Sequence, residues 1–178
     1  HIAAEHRKNA GIFPEKGDSG PDFGRVVAYF CCPFSGLFTR KEYTLAEKLK
    51  IIPLGGLDEI GKNITVLEYG KDMIIVDCGV GFPEEDMYGV DLVIPDFTYL
   101  VQNAKKLRGM FITHGHEDHI GSIPYCMRQV SCPIHGTAMT NGLIKLKLEE
   151  HKLADKVKLV THKPGDVVKA GCFSVEFI

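Results

Sequence analysis

The chain has 178 residues, 44% of them apolar and 25% charged, with a net charge of −2 and a pI near 6.5. That is the make-up of one globular domain large enough to bury a sizeable core, and it excludes a globally basic nucleic-acid-binding surface, so any such partner needs a local patch. The longest apolar stretch, Val26 to Phe38, is broken by Pro33, Ser35 and Gly36 and falls short of the ~20 apolar residues that a membrane helix needs, so no membrane partner is expected.

Residues 1–43 carry Gly11, Pro14, Gly17, Gly20, Pro21 and Gly24, too much punctuation for long helices or strands. They read as a poorly ordered extension outside the core domain, which occupies residues 44–178. Within the extension Val26-Val27-Ala28-Tyr29-Phe30 could form a strand, but nothing nearby offers it a partner. Thr44-Leu45-Ala46-Glu47 has capping-box spacing, yet it runs straight into strand-like sequence. The chain opens on His1 rather than methionine, and the expectation is a piece of a longer polypeptide or a start that is processed or miscalled.

From Lys50 the texture changes. Lys50 to Leu54 reads as a strand ending in the glycine turn Gly55-Gly56, Asn63 to Tyr69 as a second strand, and Met73 to Cys78 as a third after the turn Gly70-Lys71-Asp72. The run Met73-Ile74-Ile75-Val76 is apolar at every position and belongs in a sheet covered on both faces. After an acidic loop, Asp96 is placed to cap a helix presenting Phe97, Leu100, Val101 and Ala104. Met110 to Thr113 is the next strand. A helix is expected over Ile120 to Val130, delayed or kinked by Pro124, followed by a short strand Cys132-Pro133-Ile134. A helix from Thr137 to His151 then leads to strands at Lys156–Val160 and Cys172–Ile178. The six cysteines, Cys31, Cys32, Cys78, Cys126, Cys132 and Cys172, contain no Cys-x-x-Cys spacing and read as free thiols in a reducing cytosol, which places the protein in the cytoplasm.

The chemistry concentrates in Thr113-His114-Gly115-His116-Glu117-Asp118-His119, at the C-terminal end of a strand, where functional groups collect in layered α/β folds. Imidazole and carboxylate are ligands for zinc and similar metals. In an extended segment His114 and His116 point the same way and can reach one ion together. Asp118 and His119 fall where the chain turns into a helix and can face a second ion. Glu117 points away from its neighbours and is left out of the ligand set. His135, His151 and His162 read as surface or loop histidines rather than ligands, and neither Lys62 nor Asn63 is singled out for phosphate.

The string His-x-His-x-Asp-His after a strand, with Asp77 closing an earlier strand, resembles the metallo-β-lactamase superfamily. The match is closer to its ribonuclease J family, carried by Pro53–Asn63, Val76-Asp77-Cys78-Gly79, Gly89–Asp96 and Ile112–Gly121. The resemblance covers about Lys48 to Ile178. It implies an α/β fold, the N-terminal part of a metallo-β-lactamase αββα sandwich that is truncated here, and a β-CASP domain lying elsewhere. It further implies a ribonuclease acting on single-stranded RNA, as a 5′-to-3′ exonuclease and as an endonuclease, with a role in rRNA processing and RNA decay and a homo-oligomeric full-length form.

In that family pattern His114 and His116 bind one metal, Asp118 and His119 the second, and Asp77 orients the site from behind the ligands. The cofactors implied are two zinc ions, with manganese as the alternative because carboxylates contribute. A further histidine and a bridging aspartate are expected soon after the strand ending at Ile178, so the piece is expected to be inactive alone. Two other readings stand beside this one: a hydrolase of small esters or thioesters on the same fold, and a metal-binding remnant without catalysis.

Overall fold

The computed structural model describes residues 26–30 and 47–178. Its spine is a six-stranded sheet in the order β2-β3-β4-β5-β6-β7, made of Lys50–Gly55, Ile64–Tyr69, Asp72–Val76, Leu107–Phe111, Ile134–Thr137 and Leu159–His162. The first three strands are antiparallel, and β4 through β7 run parallel. Parallel neighbours need crossover connections. These carry α1 (Thr98–Gln102), then the short pair α2 (Glu117–Ile120) and α3 (Ile123–Met127), then α4 (Ala138–Glu150).

The apolar run in β4 divides between two cores, as a strand covered on both sides must. Met73 and Ile75 join Ile112 and the helix residues Leu100, Ile120, Ile123, Ile144 and Leu148 in one cluster. Ile74 and Val76 face the other way, with Leu67 and Phe111, onto Phe173, Val175 and Phe177. Those last three residues line the inner face of a second sheet, ordered β1-β9-β8, from Val26–Phe30, Phe173–Phe177 and Val167–Ala170. All four described helices feed the first core and none the second. The described residues therefore form three layers, helix on sheet on sheet, which is the expected α/β fold and three-quarters of an αββα sandwich.

Several local expectations change. Val26–Phe30 does have a partner: it pairs antiparallel with β9 in unbroken register from Val26↔Phe177 to Phe30↔Phe173. The rest of residues 1–43, and the cap at Thr44, lie outside the described residues. Strand β8 was not anticipated, because Val167-Val168-Lys169-Ala170 is short and reaches its partner through a tight turn at Gly171, whose φ is +63°. The helix expected over Ile120–Val130 is two helices. Gly121 and Ser122 interrupt it, and α3 restarts with Pro124 in its first turn, where a missing N–H costs nothing. Phe97 rather than Asp96 occupies the N-cap of α1, though the Asp96 carboxylate still accepts from the Thr98 N–H at 2.8 Å. The strand before α4 begins at Ile134, and the one after it is Leu159–His162.

At the opposite end of the big sheet from the histidine motif, Glu68 is buried and bonded to Lys50 at 2.8 Å, Lys106 at 3.0 Å and the Tyr99 hydroxyl at 2.7 Å. Burial works to raise its pKa, but these three donors outweigh burial and hold the carboxyl down at about 2. No helix of the described residues is long and apolar enough to cross a membrane. Four described cysteines are free thiols, Cys78, Cys126 and Cys132 of them buried.

Candidate metal centre

Strand β5 ends at Phe111, the chain bends at Thr113, and His116 is extended, with φ and ψ of −74° and 151°. His114 and His116 come together, with His114 Nε2 3.1 Å from His116 Nδ1. The chain then coils into α2. The one-turn helix swings His119 back so that its ring lies 4.0 Å from the ring of His114, and brings Asp118 Oδ2 within 3.4 Å of His119 Nε2.

Two further segments clasp this turn. The end of β4 runs into Asp77, Cys78, Gly79 and Val80. Cys78 and Val80 donate their N–H groups to the carbonyls of His119 (2.7 Å) and Glu117 (3.3 Å), and Ser122 Oγ donates to Gly79 O at 2.7 Å. Gly79 is required by proximity: a Cβ there would lie 1.6 Å from the Asp118 carbonyl oxygen. Asp77 itself has φ +59°, a left-handed conformation that is uncommon outside glycine and that Asp and Asn tolerate best. In that conformation its buried carboxylate accepts from the Thr113 N–H at 2.8 Å, from Thr113 Oγ1, and from His119 Nδ1 at 2.8 Å. From the other flank Asn63 donates its amide to Asp118 Oδ2 at 3.0 Å, to the Asp118 carbonyl at 3.0 Å and to His119 Nε2 at 3.2 Å.

The hydrogen bonds assign the tautomers. A carboxylate only accepts, so His119 carries its proton on Nδ1 towards Asp77 and leaves the Nε2 lone pair facing Asp118 and Asn63. Thr113 Oγ1 spends its single proton on Asp77 and therefore accepts, at 3.0 Å, from His114 Nδ1. His114 Nε2 is then a lone pair, and the proton between it and His116 belongs to His116 Nδ1. Burial and the neighbouring His119 push the His114 pKa down, which suits a neutral ring. Burial also disfavours a charged His119, but the bond and charge of Asp77, with Asp118 behind, prevail and raise its pKa. The field that favours a proton there favours any cation.

The donor set fits divalent ions in pairs. Two ligands at about 2.0–2.1 Å on a tetrahedral ion stand about 3.3 Å apart. His114 with His116 at 3.1 Å and Asp118 with His119 at 3.4 Å both meet that spacing. Among the described residues no three such side chains converge on one point, so each pair would need further donors. The carboxylate behind His119 is the usual support of a ligating histidine. Glu117 pairs with Lys147 at 2.7 Å. A cavity of about 320 Å³ opens beside His114 and His116, walled by Met139, Leu143 and Phe177.

Two histidines depart from the sequence reading: His162 ends strand β7 with its ring largely buried and stacked on Phe177, and His135 lies deeper still. His135 is neither on the surface nor in a loop. It lies buried in β6, stacked on Phe111 with ring centres 4.7 Å apart and bonded through Nδ1 to His162 Nε2 at 2.9 Å. Gly109 makes room for it, since a Cβ there would stand 3.2 Å from its ring. Asn63 is the residue that sequence reasoning passed over. Its signal was a place at the end of the Pro53–Asn63 string, more than fifty residues from the motif it touches.

Comparison with known proteins bears on the family. A profile of the metallo-beta-lactamase superfamily matches residues 57–176. Over 137 residues the chain is 47% identical to the ribonuclease J of Synechocystis, covering 76% of this chain and 21% of that protein. It is 50% identical over 105 residues to the ribonuclease J of Helicobacter pylori, covering 59% and 15%. Among solved structures it is similar to the metallo-beta-lactamase fold protein YhfI from Bacillus subtilis, with a TM-score of 0.45, 22% identity, and 70% and 50% of the two chains covered. The chain spans about a fifth of the length of the ribonuclease J relatives it matches. The resemblance to ribonuclease J seen in the motifs is thus borne out along the sequence, and the chain belongs to the metallo-beta-lactamase superfamily.

Proposed function

We propose that this chain carries the first ligands of a two-metal phosphodiester hydrolase that cleaves single-stranded RNA. The observation that carries the reading is the pairing of donors, His114 with His116 and Asp118 with His119, each at the spacing of two ligands on one ion. The choice of RNA over other substrates is supported by the relatives at 47% and 50% identity, both ribonuclease J. On this reading the enzyme works from the 5′ end and also internally, in rRNA processing and RNA decay in the cytoplasm, as a homo-oligomer. Zinc is the metal for which imidazole-rich pairs are suited, and manganese is the alternative.

When bound, such ions lower the pKa of a water and polarise a phosphate oxygen. The residues present do the rest. Thr113 and Asp77 fix the tautomers so that lone pairs point inward, Asp118 supplies negative charge, and the Cys78–Val80 backbone holds α2 in place. Asp77 acts behind the ligands and touches no ion. Among the described residues the donors come in pairs and not in threes, so on this reading RNA turnover requires further donors to complete the two sites.

The test is zinc uptake by equilibrium dialysis, for the chain and for its His114→Ala and His116→Ala variants. RNA and small-ester hydrolysis are then measured on the polypeptide as the cell makes it. Zinc retained by the parent and lost by both variants, with RNA and not esters cleaved, is the expected result. Ester cleavage without RNA cleavage would replace the ribonuclease by a small-molecule hydrolase. Zinc uptake indifferent to both histidines would remove the metal centre.

A further inference from the structure

Asn63 belongs to no part of the histidine motif, yet it makes four hydrogen bonds to Asp118 and His119. Its backbone N–H donates to the Asp118 carbonyl at 3.1 Å, and its carbonyl accepts from the Gly79 N–H at 3.0 Å. The backbone of the Gly61–Asn63 turn is therefore fixed to both segments that build the site. The side chain then meets three acceptors: the Asp118 carbonyl at 3.0 Å, Asp118 Oδ2 at 3.0 Å and His119 Nε2 at 3.2 Å. Three acceptors around one atom identify that atom as the amide nitrogen, since an oxygen there would face only lone pairs.

The geometry is specific to the second donor pair. Asp118 Oδ2, His119 Nε2 and the amide nitrogen form a nearly equilateral triangle, so one donor group holds the two candidate ligand atoms 3.4 Å apart. The His114–His116 pair is joined by the hydrogen bond between its own rings, Nε2 to Nδ1 at 3.1 Å. A carboxylate oxygen has lone pairs for both an amide and a cation, whereas an imidazole nitrogen has one. Asp118 can therefore keep its bond to Asn63 when a cation takes His119 Nε2.

We infer that Asn63 is the positioning residue of the Asp118–His119 pair. Its amide sets the two ligand atoms at ion-binding spacing before a cation arrives and retains Asp118 afterwards. The inference rests on the metal-binding role proposed above for that pair. It separates Asn63 from the other support, Asp77, which fixes the His119 ring from behind and does not touch Asp118 Oδ2.

The experiment is a zinc titration of the full 178-residue chain, followed by calorimetry and by the imidazole 15N signals of His119 and His114 in long-range proton–nitrogen correlation spectra. Asn63→Ala removes the donor. Asn63→Leu, which has the same branching and no hydrogen-bonding group, serves if the smaller side chain unfolds the turn. Either variant should need about 10–100-fold more zinc to move the His119 Nε2 signal, the usual effect of losing a residue that supports a ligand, while the zinc dependence of His114 Nε2 stays that of the parent. Unchanged zinc dependence at His119 overturns the inference. So does a shift to lower zinc, which would make the amide a competitor of the ion. If zinc leaves the His119 signal of the parent chain unmoved, the metal-binding role of that pair fails, and the inference with it.

Discussion

Acidification offers a direct measure of how His135 is held. The ring is buried between Phe111 and His162, and burial, with the charges of His162 and Lys158, pushes its pKa from 6.5 down to about 4. In the unfolded chain the imidazole takes up its proton near pH 6.5, whereas the folded protein refuses it until about pH 4. Between those limits the unfolded state binds more protons, so stability falls as pH falls. At about 1.4 kcal/mol per pH unit, the whole interval is worth about 3 kcal/mol. His135→Gln keeps a polar side chain without a titrating ring. It should lose some stability at pH 7.5 through the missing stack, and lose little more on going to pH 4.5. Urea unfolding at pH values from 7.5 to 4 separates the two effects, since the first displaces the whole curve and the second changes its slope. Parallel curves for parent and variant would refute the assignment and place the acid sensitivity elsewhere.

Three other outcomes follow from the same structure. The Glu68 carboxyl has its pKa lowered to about 2, so its contribution is complete above about pH 4.5 and disappears as pH falls towards 2. Glu68→Gln should cost about 2 kcal/mol at pH 7, after allowing for solvent around Lys50 and Lys106, and flatten the stability curve in that lower window. Gly79→Ala should displace α2, since its Cβ would overlap the Asp118 carbonyl; a loss of about 3 kcal/mol or more in chemical denaturation is expected, with zinc affinity falling alongside. Asp77→Asn should leave the fold but free the His119 ring to adopt the other tautomer. Long-range proton–nitrogen correlation spectra should then show the Nδ1–H form depopulated, and the zinc dependence of the His119 signal should weaken about 10–100-fold.

What could be read from the sequence was whatever is local. The separation of His114, His116, Asp118 and His119 into two pairs needs only the alternation of an extended segment followed by one helical turn, and both lie within seven residues. The burial of Met73 to Val76 on both faces follows from its unbroken apolarity. Asp77 was named through the family resemblance, as the aspartate closing an earlier strand, but that its carboxylate would fix tautomers through Thr113 depended on register between β4 and β5. The misses are long-range. Nothing near His135 announces that Phe111 and His162, on neighbouring strands, will enclose it. Nothing near Asn63 announces Asp118. The strand at Val26–Phe30 was judged to lack a partner because its partner, Phe173–Phe177, lies at the far end of the chain, and pattern reading has no term for a pairing at that distance.

That pairing bears on how the protein should be handled. Trimming the chain to the recognisable domain, from residue 47 onward, would remove β1 and turn β9 from a central strand into an edge. The newly bared edge would present an unpaired ladder along Phe173 to Phe177, whose inward side is Phe, Val and Phe. Such edges recruit strands from other molecules. A shortened version would be prone to self-association in proportion to its concentration, and strand-to-strand dimers or precipitate would be easily mistaken for natural quaternary structure.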